Sequence, residues 1–187
     1  MSTFPGVFTD DELLGISAAH VLASSGALMG DPIHQPHIAA LGSRQVGTLL
    51  WWSERLDAAV FRLLPTEPGL QQIKPATPTN GRTQHNYRNR VSKRGATTGL
   101  TRGEIISAEP VFFSSSMGPM VQVTRDVNDP VFCDHGDSGS LVLNEANQLV
   151  GLVIAGDVPW SIGTIQGFTS CWMMPIAPIC QELLIEF

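Results

Sequence analysis

The chain has 187 residues, of which 43% are hydrophobic and 15% are charged. This length suits one domain, or two small halves that share a core, and so low a charged fraction excludes a disordered or coiled-coil chain. The formal net charge of −6 at pH 7 argues against a protein that coats nucleic acid.

Short runs rich in Val, Ile, Leu, Phe and Thr, each bounded by Gly, Pro, Asn or Asp, predict β-strands. In chain order they lie at residues 13–17, 47–52, 58–63, 103–107, 120–124, 141–143 and 149–154. Apolar residues at helical spacing predict two short helices, at 18–27 and 178–187. This pattern favours an all-β barrel or sandwich over alternating β and α units.

Residues 65–87 are polar, rich in proline and without periodicity, which predicts a linker. The linker divides a single domain, residues 1–187, into an N-terminal half at 1–64 and a C-terminal half at 88–187.

Five of the 11 Lys and Arg residues lie close together, at Arg82, Arg88, Arg90, Lys93 and Arg94. Such a cluster could contact phosphates, or it could be cleaved or dock a partner. We favour a solvated loop between the two halves, so nucleic acid is not expected as a partner.

Cysteine usage and targeting signals indicate a compartment. Cys133, Cys171 and Cys180 are too few for a disulfide framework. Residues 1–5 lack the features of a signal peptide, and no apolar run approaches the roughly 18–20 residues that span a membrane. We therefore expect a soluble, cytoplasmic protein in a reducing compartment, with no membrane partner.

The most informative motif is Gly136-Asp137-Ser138-Gly139-Ser140, which precedes an apolar strand. A serine between glycines lies in a tight turn, where the backbone amides of Gly136 and Ser138 can point at one spot and stabilise an oxyanion. The alternative interpretation is a β-turn rich in glycine and serine.

A nucleophilic serine needs a base, and the base needs an acid that orients it. His20 follows an apolar strand and small residues, and Asp57 begins another apolar strand, where an unpaired carboxylate would be costly. The order His20, Asp57, Ser138 matches one of the known orders of a catalytic triad. Alternatively, each residue is a satisfied structural group: a packed histidine, a turn cap and a turn serine.

Three segments resemble the chymotrypsin-like serine peptidases: AAH at residues 18–20, DAAV at 57–60 and GDSGS at 136–140. A narrower resemblance, to the bacterial and plant trypsin-like group that includes the plant NARROW LEAF 1 proteins, lies at residues 20–36 and 91–105. The resemblance implies two antiparallel β-barrels of the six-stranded type and a cofactor-free serine endopeptidase. Only 19 residues precede His20, so we expect the first barrel to lack a strand or to be completed by a partner.

The resemblance also implies roles for the three residues of the triad. Ser138 would attack the scissile carbonyl, His20 would accept its proton, and Asp57 would orient His20. The backbone amides of Gly136 and Ser138 would form the oxyanion hole.

The primary specificity pocket is assigned from the same resemblance. Phe132 would form its base, and Ile154, Ala155 and Gly156 would form a wall, so the pocket would accept apolar or small side chains. If the loop is shifted by two residues, Asp134 takes the place of Phe132 and favours basic side chains.

Two other functions remain open. The same fold could be a catalytically silent binding or scaffold module, or the triad could serve an esterase-like hydrolase. A peptidase of this kind would take a protein or peptide substrate and could need an activating partner. The Cys133-Asp134-His135 segment and the pair His34 and His37 lack a complete set of zinc ligands, so no metal is expected.

Overall fold

A computed structural model describes residues 14–23, 26–35, 41–64, 88–107, 110–112 and 117–183. In these ranges the chain forms twelve strands and two short helices. The strands are β1 Leu14–Ser17, β2 Pro32–Gln35, β3 Arg44–Ser53, β4 Ala58–Leu63, β5 Arg90–Gly95, β6 Gly99–Ile105, β7 Val121–Arg125, β8 Leu141–Asn144, β9 Leu149–Gly156, β10 Pro159–Ile162, β11 Ile165–Phe168 and β12 Ser170–Pro175. The helices are α1 Ala19–Leu22 and α2 Ile176–Leu183.

The first half forms an antiparallel sheet of four strands in the order β1-β4-β3-β2. Close packing requires glycine at two of its positions, because a Cβ at Gly15 or Gly47 would overlap the ring of Phe61. Buried and more exposed residues alternate along much of β3, as expected where one face of a strand covers a core.

The second half forms a closed antiparallel barrel in the order β12-β7-β6-β5-β8-β9. Its interior is filled by buried apolar side chains, among them Val91, Ile105, Val121 and Met173. The prediction of an all-β fold with a short C-terminal helix is confirmed, and the second half is the closed six-stranded antiparallel barrel that was expected. For the first half the prediction was a second barrel that lacks a strand or is completed by a partner, and its described strands form the four-stranded sheet. Strands β10 and β11 form a separate hairpin between β9 and β12.

One hydrophobic cluster contains buried residues of both halves. The first half contributes Ala18, Trp51, Leu56, Ala58 and Val60; the second contributes Met120, Leu149, Leu152, Ile154 and Met174; helix α2 adds Ile176 and Ile179. Because these side chains share one interior, the sheet and the barrel are held in a fixed relation. The polar residues at the strand ends of the two halves therefore also keep fixed positions relative to one another.

The prediction of a solvated basic loop needs a correction at β5. Arg90, Lys93 and Arg94 lie on this barrel strand, and the side chain of Lys93 points into the barrel with 1% of its surface exposed. The pattern misled because the charged residues hide the alternation in which Val91 and Lys93 share the inner face. Arg88 and Arg90 are exposed, whereas Arg82 lies outside the described residues.

Most predicted elements are present with shifted ends. The helix predicted at 18–27 is limited to Ala19–Leu22, and Gly26 has a φ of +89°, which a helix cannot contain. The sequence analysis missed β2, β5, β10, β11 and β12. The linker at 65–87 lies outside the described residues, so the division into halves at that position stays a prediction.

None of the helices within the described ranges is long and apolar enough to cross a membrane.

Replacing Met174 by alanine tests the shared core. Met174 is fully buried in the cluster that joins the halves, so the cavity left behind is expected to lower the free energy of unfolding by about 2–5 kcal/mol. Met29→Ala is the matched control, because Met29 is 53% exposed and should change stability little. Equal effects of the two substitutions in denaturant titrations would contradict the shared core.

Candidate active site

His20 and Asp57 form a hydrogen-bonded pair in the first half. The Nδ1 atom of His20 lies 2.6 Å from Oδ2 of Asp57, and the backbone amide of His20 donates to Oδ1 of the same carboxylate at 2.9 Å. Both carboxylate oxygens of Asp57 are thus hydrogen-bonded to His20. The contact through Nδ1 orients the imidazole and leaves Nε2 to exchange a proton with another group. About half of the His20 side chain is exposed, against 15% of that of Asp57.

A tight turn between β3 and β4 positions Asp57. The turn closes with a hydrogen bond from the Asp57 amide to the Glu54 carbonyl, and Asp57 has a φ of +44°. Aspartate adopts this left-handed conformation more readily than most residues. The Asp57 carbonyl also accepts a hydrogen bond from the Ala19 amide at 3.1 Å, so backbone as well as side chain ties Asp57 to helix α1.

Ser138 reaches the same region from the second half. Its neighbour Gly139 packs so closely on β1 and α1 that a Cβ there would overlap Oγ of Ser17 and lie 2.6 Å from the Ala18 nitrogen. The serine turn thus contacts the segment that leads directly into His20. The Ser138 hydroxyl donates to the Ile154 carbonyl at 3.3 Å, and within the described ranges it makes no hydrogen bond to His20.

A buried ion pair between Asp137 and Lys93 holds the turn that bears Ser138. Its Oδ2 atom lies 2.7 Å from Nζ of Lys93, and both side chains are fully buried. The backbone amide of Thr97 donates to Oδ1 at 2.8 Å, while the Thr98 hydroxyl and the Asp134 amide donate to Oδ2. Lys93 therefore supplies, from within the barrel, the cation that a buried aspartate requires.

These contacts change the acidity of Asp137. Burial by itself raises the pKa of its carboxyl, but the hydrogen bonds from Lys93 and Thr98 and the charge of Lys93 contribute in the opposite direction. The pKa consequently lies below its ordinary value of 3.8, and the carboxylate is ionised at neutral pH.

The backbone amides of Gly136 and Ser138 are available as hydrogen-bond donors, since neither donates a hydrogen bond within the described part of the chain. The Thr97 hydroxyl donates to the His135 carbonyl at 2.7 Å. That carbonyl and the Gly136 amide belong to one planar peptide and point in opposite directions, so Thr97 fixes where the Gly136 N–H points. Gly136 has a φ of +97°, a conformation that favours glycine.

The residues predicted to form a specificity pocket lie in different environments. Phe132 is fully buried in the barrel core, so none of its surface is accessible to a ligand. The centroid of its ring lies 5.9 Å from Nζ of Lys93. Ile154 is buried, while Ala155 is exposed and Gly156 partly exposed, at the end of β9.

A cavity of about 370 Å³ lies beside Asp134 and His135, just before the turn that bears Ser138. Its walls are formed by Asp134, His135, Pro159, Ser161, Gln166, Gly167 and Phe168. The sequence offers two candidates for the base of the specificity pocket, Phe132 and Asp134. Asp134 lines this cavity, and Phe132 does not.

Other reactive groups do not compete with Ser138 as a nucleophile. The three cysteines are unpaired, and Cys133 and Cys171 are buried. Burial raises the pKa of the Cys171 thiol well above its usual range and that of Cys180 to about 11, which keeps both protonated. In the described ranges, no three His, Cys, Asp or Glu side chains are placed to hold a metal ion; His37 lies outside them.

Lys93 and Thr97 were missed as site residues by the sequence analysis. The available signal was the alternation of Val91 and Lys93, which places a lysine on the inner face of a barrel strand. A cation in that position requires a buried acid, and Asp137 beside the candidate nucleophile is such an acid.

Replacing Gly139 by alanine tests the contact between the two halves of the site. The added Cβ would overlap Ser17, so we expect a loss of about 1–3 kcal/mol beyond backbone strain, together with a changed chemical shift of the His20 imidazole. Gly99→Ala is the matched control, because Gly99 also has a positive φ, +66°, but no atom lies within 4 Å of its Cβ position. The same loss in both variants, with an unmoved His20 signal, would contradict the contact.

The lowered pKa of Asp137 predicts a loss of stability in acid. The unfolded chain binds this proton more readily than the folded chain, so the stabilisation is complete above the unfolded pKa and is lost as the pH falls through the folded pKa. We expect the free energy of unfolding to fall more steeply below about pH 4 in the wild type than in Asp137→Asn, measured by denaturant titration at each pH. Parallel curves would contradict the assignment.

Known structures with a similar fold are serine proteases. The chymotrypsin of Cellulomonas bogoriensis is 21% identical over 90% of this chain and 81% of its own, with a TM-score of 0.53. Protease A of Thermobifida fusca is 18% identical over 92% and 83%, with a TM-score of 0.55. A serine protease specific for glutamic acid is 19% identical over 94% and 87%, with a TM-score of 0.61.

No protein-family model and no curated protein sequence matches the chain. The three structures do not support the narrower resemblance to the NARROW LEAF 1 group, which stays a prediction. At these identities the likeness shows the architecture, and the chain has the chymotrypsin-like fold.

Proposed function

We propose that the chain is a serine endopeptidase that cleaves peptide bonds through His20, Asp57 and Ser138. One observation carries the proposal. The turn that bears Ser138 packs through Gly139 against the segment leading into His20, whose imidazole is bonded to Asp57 at 2.6 Å. This packing, in the fold of known serine proteases, supports the assignment of base, orienting acid and nucleophile to the junction of the two halves.

The proposed reaction proceeds by acyl transfer. The Ser138 hydroxyl leaves the Ile154 carbonyl and donates to Nε2 of His20, which takes its proton as Oγ bonds to the scissile carbonyl carbon. The carbon–nitrogen bond then breaks, and His20 passes the proton to the leaving amine. Water, deprotonated by His20, releases the acyl group from Ser138 and restores the hydroxyl.

Two further features support peptide chemistry in particular. The unpaired amides of Gly136 and Ser138 supply donors for the oxyanion of the tetrahedral intermediate, and removal of one such donor typically costs about 10²–10³ in rate. At residues 155 and 156, β9 pairs with β12 on one edge, and among the described strands none pairs with the other edge. An extended peptide can add to that edge as a strand beside Ser138.

The cytoplasmic location and an activating or strand-completing partner remain proposals. They rest on the sequence alone, since no contact among the described residues bears on either of them.

Labelling by a fluorophosphonate tests the proposal. The wild type should be labelled covalently, and His20→Ala and Ser138→Ala should each lose nearly all labelling. Turnover of a cleaved peptide should fall about 10⁴-fold in Asp57→Asn, because the wrong imidazole tautomer then faces Ser138. The double variant of His20 and Ser138 should be little worse than either single variant, because the triad acts as a unit.

The outcomes separate the alternatives. An unlabelled wild type contradicts the enzyme and favours a silent binding module. Labelling with turnover of small esters but no cleavage in peptide libraries favours an esterase-like hydrolase. Additive losses in the double variant would contradict a shared mechanism.

A further inference from the structure

The ring of Phe168 lies between Gly156, at the end of β9, and His135, three residues before Ser138. On one side it packs directly on Gly156, where any Cβ would overlap the ring. On the other side it meets the His135 ring edge to face, with 5.3 Å between the ring centroids. Glycine at position 156 is therefore matched to the aromatic side chain at position 168.

The backbone of Phe168 is fixed by its neighbours. Its amide donates to the Cys133 carbonyl at 2.8 Å, and its carbonyl accepts from the Phe132 amide at 2.8 Å. The ring also packs against the buried core of the barrel. These contacts hold the side chain at the position between His135 and Gly156.

In the proposed reaction, a substrate side chain is directed toward the same space. When Ser138 attacks a carbonyl whose oxygen points to the Gly136 amide, the substrate backbone follows the edge of β9 at residues 154–156. The side chain of the residue that carries this carbonyl, here called the acyl residue, then points between that edge and the segment 133–136 before the serine. Phe168 lies in that gap.

Phe168 also forms part of the wall of the 370 Å³ cavity. His135 and Phe168 line it, but neither Ser138 nor any of residues 154–156 does. Among the described residues, the aromatic pair of His135 and Phe168 thus lines the cavity, and Phe168 of that pair also packs on Gly156.

We propose that Phe168 closes the primary specificity pocket and restricts the acyl residue to a small side chain, such as that of glycine, alanine or serine. This inference rests on the proposed function, because it assigns the specificity of the same site. Removing the ring empties the space between Gly156 and His135, and we expect this to admit large side chains.

Two peptide phosphonate esters test the inference, one with the alanine side chain at the acyl position and the other with the phenylalanine side chain. In the wild type, the alanine probe should react with Ser138 at least about tenfold faster. In Phe168→Ala the ratio of the two rates should shift toward the phenylalanine probe by at least about tenfold. Because each ratio is taken within one variant, differences in overall reactivity cancel.

Two further variants serve as controls. Phe168→Leu keeps a smaller apolar side chain and should give a smaller shift in the same direction. Phe112→Ala makes the matched substitution at a side chain that is 67% exposed and does not line the cavity, so it should keep the wild-type ratio.

The outcomes distinguish this inference from the proposed function. If a fluorophosphonate, which has no side chain to place, fails to label the wild type, the proposed function fails and the inference fails with it. If the fluorophosphonate labels Ser138 but the wild type prefers the phenylalanine probe, the inference alone is overturned, even if Phe168→Ala does not fold. An unchanged ratio in folded Phe168→Ala also overturns it.

Discussion

The arrangement of the site depends on one buried ion pair, Lys93 with Asp137. Asp137 is the residue before Ser138, and its carboxylate binds Lys93, Thr97 and Thr98 at once, so the serine turn is tied to β5 and to the turn that follows it. Such a pair adds little net stability over a well-packed apolar core, but removal of one partner typically costs about 3–5 kcal/mol, because a charge is left buried alone. The pair therefore determines the conformation of the turn, and the open amides of Gly136 and Ser138 follow from that conformation.

Close packing by small residues joins this turn to the other half of the site. Gly139 fits against Ser17 and Ala18 because it has no side chain, and the core shared by both halves keeps the sheet from moving relative to the barrel. The segment leading into the His20–Asp57 pair and the turn that bears Ser138 are thus held together by packing, and in the described ranges no direct hydrogen bond joins His20 to Ser138. Close packing also decides the arrangement at the proposed specificity pocket, where Gly156 leaves room for the Phe168 ring that a larger residue would exclude.

Much of the fold could be predicted from local patterns, since strands such as Ala58–Leu63 are apolar runs with clear ends. The strand Arg90–Gly95 could not, because its inward-facing Lys93 is a charged residue whose burial makes sense only with Asp137, 44 positions later in the chain. The candidate triad was predicted from three short motifs, and of its members the structure joins His20 and Asp57 by hydrogen bonds. The environment of Phe132 and Phe168 depends on how the hairpin of β10 and β11 and the barrel pack, and no local pattern encodes that packing.

The most direct test of this account is a crystal structure of the chain after reaction with a fluorophosphonate. The account predicts a phosphorus–oxygen bond to Oγ of Ser138, with the phosphoryl oxygen within hydrogen-bond distance of the Gly136 and Ser138 amides and the Lys93–Asp137 pair intact beneath it. An adduct on a different residue, or an adduct on Ser138 whose phosphoryl oxygen points away from both amides, would contradict it.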